Sequence, residues 1–349
     1  MMSLTNRILI LSLVLITGLT ALAPLTQAQT DAGINLQISP LPIELNAKPG
    51  TKASADLRVR NAGTKSERIK AVIRAFDVQG DEGQVNFRNP RPDEQYVKWI
   101  TFSKAEFEAP PGEWQTIKMN IDLPKEAAFG YYFAVQFQRA TPVKPAPGTT
   151  GIEGAVAIFI LLNAERPDAS RKAEVTSFTA NRKSYEFLPV DFKIGVKNTG
   201  NVHLAPSGNI FIRRGSKQVG VVELNQGGGN VLPSSSRRFS SSWSDGFPIY
   251  KDVVENGRTV TDEQGQPKRK LSWNLGDVQK LRFGHYTADL VLVYNDGQRD
   301  VPVTASVSFW VVPWRLLIGL LFVSIFVIIG LWSTFKKMSR TAKKLKGNK

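Results

Sequence analysis

From Ile34 onward the chain alternates apolar and polar residues in short runs, the period of a strand with one buried face. Ala53, Ala55, Leu57 and Val59 alternate and break at Asn61-Ala-Gly63. Ile69, Ala71, Ile73 and Ala75 follow and break at the glycines of Gln79-Gly-Asp-Glu-Gly83. Further strands are predicted from Tyr96 to Phe102, Trp114 to Leu123 and Tyr131 to Phe137, with a short buried strand from Ala155 to Leu162. Leu36 to Ile38 and Ile43 to Leu45 surround prolines, which suits an edge strand that kinks or switches sheets. Turn signals recur about every 8–12 residues and no stretch sustains a helical period, so the pattern predicts a sandwich or barrel.

The pattern then repeats. Pro189-Val-Asp-Phe-Lys-Ile-Gly-Val-Lys-Asn198-Thr-Gly200 alternates and breaks at Asn-x-Gly, as Ala55 to Gly63 does. Asn and Gly tolerate positive φ, so each pair predicts a tight turn leaving the second strand of a sandwich. Strands follow from Ile210 to Arg213, Val219 to Leu224 and Arg237 to Trp243, and the polar segment 245–270 reads as an insertion. Gly284 to Tyr294 and Val301 to Val312 predict a closing hairpin around Asn295-Asp-Gly297. The Pro-rich segment 139–151 is placed within the first unit as a projecting loop, because the strand from Ala155 needs a partner. The boundary between units then falls at Glu165 to Ser170. The expected fold is all-β: two tandem immunoglobulin-like β-sandwiches, 29–168 and 169–312.

Both ends break the strand pattern. Leu316 to Trp332 carries no charge, and with its flanks gives the roughly 20 residues needed to span a bilayer as a helix. Trp314 and Trp332 lie roughly 27 Å apart at ~1.5 Å per residue, one indole for each interface. Lys336, Lys337 and Arg340 open a tail with seven cations and no acid, which places residues 334–349 in the cytoplasm by the positive-inside rule. The expected transmembrane helix is 313–333. At the other end Arg7, the apolar run from Ile8 to Ala23, and small residues at Thr26 and Ala28 read as a signal peptide, 1–28, cut before Gln29. The expectation is a single-pass plasma-membrane protein with both sandwiches extracytoplasmic.

Composition adds a compartment. Of 45 Lys and Arg, nine belong to the signal, the anchor boundary and the tail, leaving 36 against 30 Asp and Glu. That mild bias, without a basic and aromatic cluster, argues against nucleic acid as a partner. There is no cysteine and no Asn-x-Ser/Thr sequon, which points to a prokaryotic envelope protein.

Catalytic chemistry is poorly provided for. His203 and His285 are the only histidines and are expected at a turn and a strand surface, with no serine motif nearby. Asp77, Asp81 and Glu82 lack the spacing of a calcium loop and read as a solvated hairpin tip. Asp93-Glu94 and Asp262-Glu263 would form a glycosidase pair only if the fold joined them. No catalytic residue, cofactor or metal is therefore assigned. Tyr96, Trp99, Trp114, Tyr131 and Tyr132 are weighed as a sugar-stacking platform, with Tyr131, Tyr132, Trp99 and Trp114 the candidate ligand contacts. The competing reading packs Trp99 and Trp114 between the sheets. Tyr131 and Tyr132 must face opposite ways, which puts at least one at the surface. The loops at 139–151 and 225–230 are alternative contact surfaces.

Leu57-Arg-Val-Arg-Asn-Ala-Gly63, Pro111-Gly-Glu-Trp-Gln-Thr-Ile-Lys-Met119, Leu123-Pro and Gly130-Tyr-Tyr-Phe133 carry a resemblance. So do Lys197-Asn-Thr-Gly-Asn-Val-His-Leu204 and Asn230-Val-Leu-Pro233. With the order signal, sandwich, sandwich, span and basic tail, the chain resembles the WxL-interacting surface proteins of Gram-positive bacteria. That resemblance implies envelope adhesion or scaffolding, the first sandwich toward cell-wall glycan and the second toward a surface protein. The insertion at 245–270 and the basic balance depart from it. The first unit also resembles the N-terminal sandwich of periplasmic pilus chaperones, which are soluble. The alternative expectation is a membrane-bound accessory or chaperone-like subunit of a secretion or pilus machine.

Overall fold

The computed structural model describes residues 34–141, 154–255, 257–263, 265 and 267–346, with side chains through Lys336. The proposed signal peptide and most of the Pro-rich segment lie outside the described residues. The first unit comprises β1 (Leu36–Ser39), β2 (Ile43–Ala47), β3 (Lys52–Asn61), β4 (Glu67–Gln79) and β5 (Gln84–Arg88). β6 (Ile100–Phe102), β7 (Glu106–Ala109), β8 (Trp114–Asp122), β9 (Phe129–Arg139) and β10 (Val156–Ala164) complete it. One sheet runs β1-β3-β8-β6; the other runs β2-β10-β9-β4-β5, and β7 pairs with the start of β4. The chain switches sheets between β1 and β2, around Pro40 and Pro42. Leu57, Ile117, Met119 and Ile121 face Ile69, Phe133, Val135, Phe137, Ile158 and Ile160 across a closed core. β9 and β10 pair directly, so the Pro-rich segment joins two neighbouring strands of this sandwich.

The second unit opens with β11 (Ala173–Ala180), β12 (Ser184–Tyr185), β13 (Val190–Asn198), β14 (Ser207–Arg214), β15 (Lys217–Leu224) and β16 (Ser236–Trp243). The insertion follows as β17 (Ile249–Asp252), β18 (Val254–Glu255), β19 (Arg258–Thr259) and β20 (Arg269–Ser272), paired β17 with β20 and β18 with β19. β21 (Gly284–Asn295) and β22 (Asp300–Val311) close the unit as the hairpin that Asn-Asp-Gly specifies. Its sheets run β11-β13-β16 and β12-β22-β21-β14-β15. Trp243 is buried between them against Tyr286 and Phe309. The chain then enters α1 (Trp314–Lys346). From Trp314 to Lys336 it is long and apolar enough to cross a membrane, and none of that stretch is buried against the sandwiches.

Three expectations need correcting. Tyr96 to Phe102 is not one strand: a 3-10 turn, Gln95–Trp99, precedes β6. Arg88 grips the Glu94 carboxylate through two 2.7 Å bonds, and Glu94 also accepts from the Arg91 N–H at 2.5 Å. That tether turns the chain and drops Tyr96 into the core. The Asp77, Asp81 and Glu82 tip is not simply solvated, since Asp77 binds Arg88 and the other two meet the second sandwich.

The third correction concerns the two Asn-x-Gly breaks, which do not work through positive φ; neither asparagine nor Gly63 or Gly200 has it. Each asparagine side chain is buried instead. Asn61 Nδ2 donates to the carbonyls of Lys65 and Ala109 at 2.7 and 2.8 Å, and its Oδ1 accepts from the Gly63 N–H at 2.9 Å. Asn198 repeats this with Val202, Val231 and Gly200 at 2.8, 2.9 and 2.8 Å. Gly200 is required by close approach, since a Cβ there would overlap the Ser170 carbonyl of the linker. A second repeat was missed: the phenol oxygens of Tyr131 and Tyr286 each accept from a backbone N–H three residues upstream at 3.0 Å. This is the tyrosine corner of sandwich folds, and Phe-Gly-Tyr at 129–131 and Phe-Gly-His-Tyr at 283–286 were its visible signal.

Replacing Asn198 by alanine leaves the Val202 carbonyl and the Gly200 N–H without partners in the interior, and leaves the Val231 carbonyl only the 3.2 Å bond from the Leu204 N–H. Denaturant unfolding of the purified chain should register a loss of about 2–4 kcal/mol. A loss under about 0.5 kcal/mol would mean the side chain does not hold the turn.

Candidate functional site: the cleft between the sandwiches

Alternation along β10 divides its side chains. Ile158, Ile160 and Leu162 enter the core, so Ala157, Phe159 and Leu161 face outward. On β4 the outward residues near its end are Phe76 and Val78, opposite Phe87 and Val85 of β5. Phe159 meets Phe76 edge-on at 5.2 Å and stacks on Phe87 at 5.7 Å. An outer sheet face this apolar is unusual unless something covers it. The second sandwich covers part. Its loop Gly227 to Asn230, with Leu232 and Arg237, lines the far wall of a cleft of about 430 Å³. Leu41 and Phe87 remain exposed at the rim, at 56% and 42%.

Glycines set the width of this cleft. The loop is pinned by Asn225, whose Nδ2 donates to the Pro206 and Gly229 carbonyls at 2.6 and 2.9 Å while its Oδ1 accepts from the Gly229 N–H at 2.7 Å. The Arg237 guanidinium sits between Gly83 of the first sandwich and Gly229 of the second, where Cβ atoms would approach it to 3.1 and 2.9 Å. It donates to the Asn230 carbonyl at 2.9 Å. The Asn230 Oδ1 is buried in the cleft without a hydrogen-bond partner among the described residues. β2 pairs with β10 only over Ile160 to Ala164. Among the described residues, no strand pairs with that edge of β10 from Val156 to Phe159.

Polar contacts hold the sandwiches around the cleft. Arg238 pairs with Asp81 and Glu82, and its backbone N–H donates to the Asp81 carbonyl. Asn230 Nδ2 donates to Glu44 at 2.9 Å. The His203 N–H donates to the Tyr132 phenol oxygen at 2.8 Å, with the two rings edge to face at 5.6 Å. Tyr132 reaches there because Gly130, two residues back on the same face, leaves room; a Cβ at 130 would overlap the phenol.

The aromatic candidates therefore separate. Tyr96 is buried and stacks on Phe133 at 5.4 Å, and Trp99 meets Tyr131 edge-on at 5.0 Å against the same core. Tyr132 faces the second sandwich, so neither of the adjacent tyrosines is freely exposed. Trp114 is not between the sheets: it is 39% exposed, with the Arg58 guanidinium 4.8 Å above its ring. Alternation along β8 explains this: Ile117, Met119 and Ile121 enter the core, so Trp114, like Thr116 and Lys118, faces outward. His203 is not at the surface but buried at the joint. His285 is exposed beside Trp310. Glu94 is committed to Arg88, and no cluster of His, Asp and Glu fit for a metal occurs among the described residues. On α1, Trp314 and Trp332 are exposed, and Lys336 lies 5.0 Å over the Trp332 ring. Lys337 and Arg340 continue the helix, their side chains outside the described set.

No protein-family model matches the chain, and no curated protein does. Among solved structures it is similar to the class 5 fimbriae chaperone CfaA, at 14% identity over 77% of this chain and 98% of that one, TM-score 0.35. It is also similar to the Pseudomonas aeruginosa CupB2 chaperone (11% identity, 78% of this chain, 100% of that one, TM-score 0.34). The YadV chaperone stands alike (12%, 78% and 99%, 0.33). At these values the likeness carries no argument about function.

Burial of the joint shifts both of its ring groups. The Tyr132 phenol is pushed up to about 12. Desolvation holds the His203 imidazole below its ordinary 6.5, aided by Arg171 and opposed by Glu44. The closed joint keeps His203 neutral and an opened one does not. Its contribution is thus complete above the ordinary value and is lost as pH falls toward the depressed one. The thermal midpoint of the first-to-second-sandwich contact, followed by hydrogen exchange at 129–135 and 201–204, should drop between about pH 8 and about pH 5. His203→Gln should flatten that profile; an unchanged profile would assign the titration elsewhere.

Proposed function

We propose that this chain is a membrane-anchored, non-enzymatic envelope protein that holds an extended apolar segment of a partner protein in the cleft between its sandwiches, as a chaperone-like or accessory subunit. The observation that carries this reading is the conjunction at β10: an apolar outer face built on Phe159 beside an unpaired strand edge from Val156 to Phe159. Such an edge offers backbone N–H and C=O groups to an added strand, and the alternate pockets beside it select side chains. The glycine loop and the Asn230 Oδ1 supply room and an acceptor on the opposite wall. α1 fixes the protein to the plasma membrane, and the basic tail favours an orientation with both sandwiches outside the cytoplasm.

A second reading, adhesion to cell-wall glycan, retains one observation in its favour: the exposed Trp114 indole beneath Arg58. Its platform of several aromatics is otherwise used in the core and at the joint.

Both readings are tested on the full chain in nanodiscs. An array of extended peptides with alternating apolar residues should bind the native chain, and Phe159→Asp should weaken binding by at least about tenfold, or ~1.4 kcal/mol. Trp114→Ala should leave it unchanged. Sedimentation with purified wall glycan that is abolished by Trp114→Ala, with no peptide binding, would replace the first reading with the second.

A further inference from the structure

The second sandwich carries a group of exposed apolar residues that neither the core nor the cleft uses. They sit on the segment between β20 and β21, built around a 3-10 turn, Leu275–Lys280. Leu275, Val278, Leu281 and Phe283 are 76%, 50%, 48% and 44% exposed. The segment is nevertheless firmly held. Asn274 Oδ1 accepts from the Gly276 N–H at 3.3 Å, the Phe247 N–H donates to the Lys280 carbonyl at 3.0 Å, and the Phe283 N–H donates to Tyr286 Oη at 3.0 Å. Its charges are matched. Lys280 pairs with Asp245 and Asp277 at 3.1 Å each, and Arg282 pairs with Asp245 at 2.7 Å. Beside these matched charges and the exposed Asn274 and Gln279, the outward surface is apolar.

Its position follows from register. Gly284 pairs with Val311 in an antiparallel ladder, so the chain before Gly284 leaves the sheet from the same end as the chain after Val311. That end is where α1 begins. A hollow of about 550 Å³ is lined jointly by Leu281 and Phe283 of the loop and by Leu316, Leu317, Leu320 and Val323 of the helix. Val323 is nine residues beyond Trp314, about 13 Å along the axis at ~1.5 Å per residue. The loop therefore runs beside the opening turns of the helix, at a level below the Trp314 interface.

We propose that the loop 273–283 is a second membrane contact: it inserts its apolar side chains into the headgroup and acyl boundary of the same bilayer that α1 crosses. The occupant is lipid, because the patch is continuous with the lipid-facing surface of the helix and exposes no unmatched charge. A rigid apolar face beside polar anchors is the form taken by interfacial segments, which reach about 5–10 Å into that boundary. This inference rests on α1 spanning the bilayer.

The chain has no cysteine, so single spin labels can be placed without background. In the full chain reconstituted into nanodiscs, labels are set at Leu275→Cys and Leu281→Cys, with Ser324→Cys in the span and Val221→Cys on an exposed strand as references. Collisions with a water-soluble nickel chelate should be lost at 275 and 281, as at 324 and unlike at 221, while collisions with oxygen rise. Nickel access at 275 and 281 equal to that at 221, with 324 protected, would overturn the loop's insertion and leave the span intact. Loss of both nickel and oxygen collisions would mean that a second copy of the chain, not lipid, covers the loop, which also overturns it. Nickel access at 324 would overturn the span and the loop together.

Discussion

The arrangement of this molecule depends on how weakly its two sandwiches are joined. The pair Arg238 with Asp81 and Glu82 is more than a third exposed at each side chain, and exposed pairs contribute at most about 1 kcal/mol. Asn230 with Glu44 is one further hydrogen bond, of similar size. The burial of Leu161 on the outer face and the Tyr132 and His203 ring contact add apolar area, but far less than either core holds. With no disulfide available, each sandwich must be stable on its own core, and the joint between them is the soft element. A cleft closed by such a joint can widen without disturbing Leu57 or Phe192. That is the property a binding groove for an extended segment requires.

Each sandwich, by contrast, is over-determined in the same way. A buried asparagine closes the loop after β3 in one unit and β13 in the other, and a tyrosine corner fixes the entry to β9 and to β21. Both devices satisfy backbone groups that the sheet ladders leave over, and a buried unpaired backbone group is costly. Their repetition in the two units, together with the Gly200 approach to the linker carbonyl of Ser170, ties the linker to the second sandwich. The soft joint is therefore confined to the contact of the units and does not extend through the connection.

The alternation of apolar residues made the strands legible, because a half-buried strand has a period of two and little else does. The pairing of β9 with β10 followed from the need of the run at 155–162 for a partner. What the sequence could not convey was which outward residues the other sandwich covers. One of Tyr131 and Tyr132 read as a surface position, and His203 as a turn residue, because alternation assigns a face and not its neighbour. Trp114 read as core because it is aromatic, although alternation along β8 sets it on the face opposite Ile117, Met119 and Ile121. The Asn-x-Gly breaks were legible as turns, yet their cause lay in bonds to Ala109 and Val231, residues 48 and 33 positions away. No local rule encodes such bonds.

The proposed attachment to the membrane raises a question of orientation that a lone helix would leave open. β22 reaches α1 through only Val312 and Pro313, and the Val312 N–H is already bonded to the Tyr185 carbonyl at 2.7 Å. At the first turn Arg315 stacks on Trp314 and lies 3.5 Å from Glu186, which also accepts from the Tyr250 hydroxyl. The junction is thus short and cross-braced. A tilt of the helix must carry the second sandwich with it, and the loop at 273–283 is the part of that sandwich driven toward or away from lipid. Burying even half of its apolar area offsets the modest cost of such a tilt, since burial contributes roughly 25 cal/mol per Å² and helix tilt is cheap. Under the proposed insertion, the membrane would set the direction of the second sandwich, and the soft joint would leave the first free to adjust around the cleft.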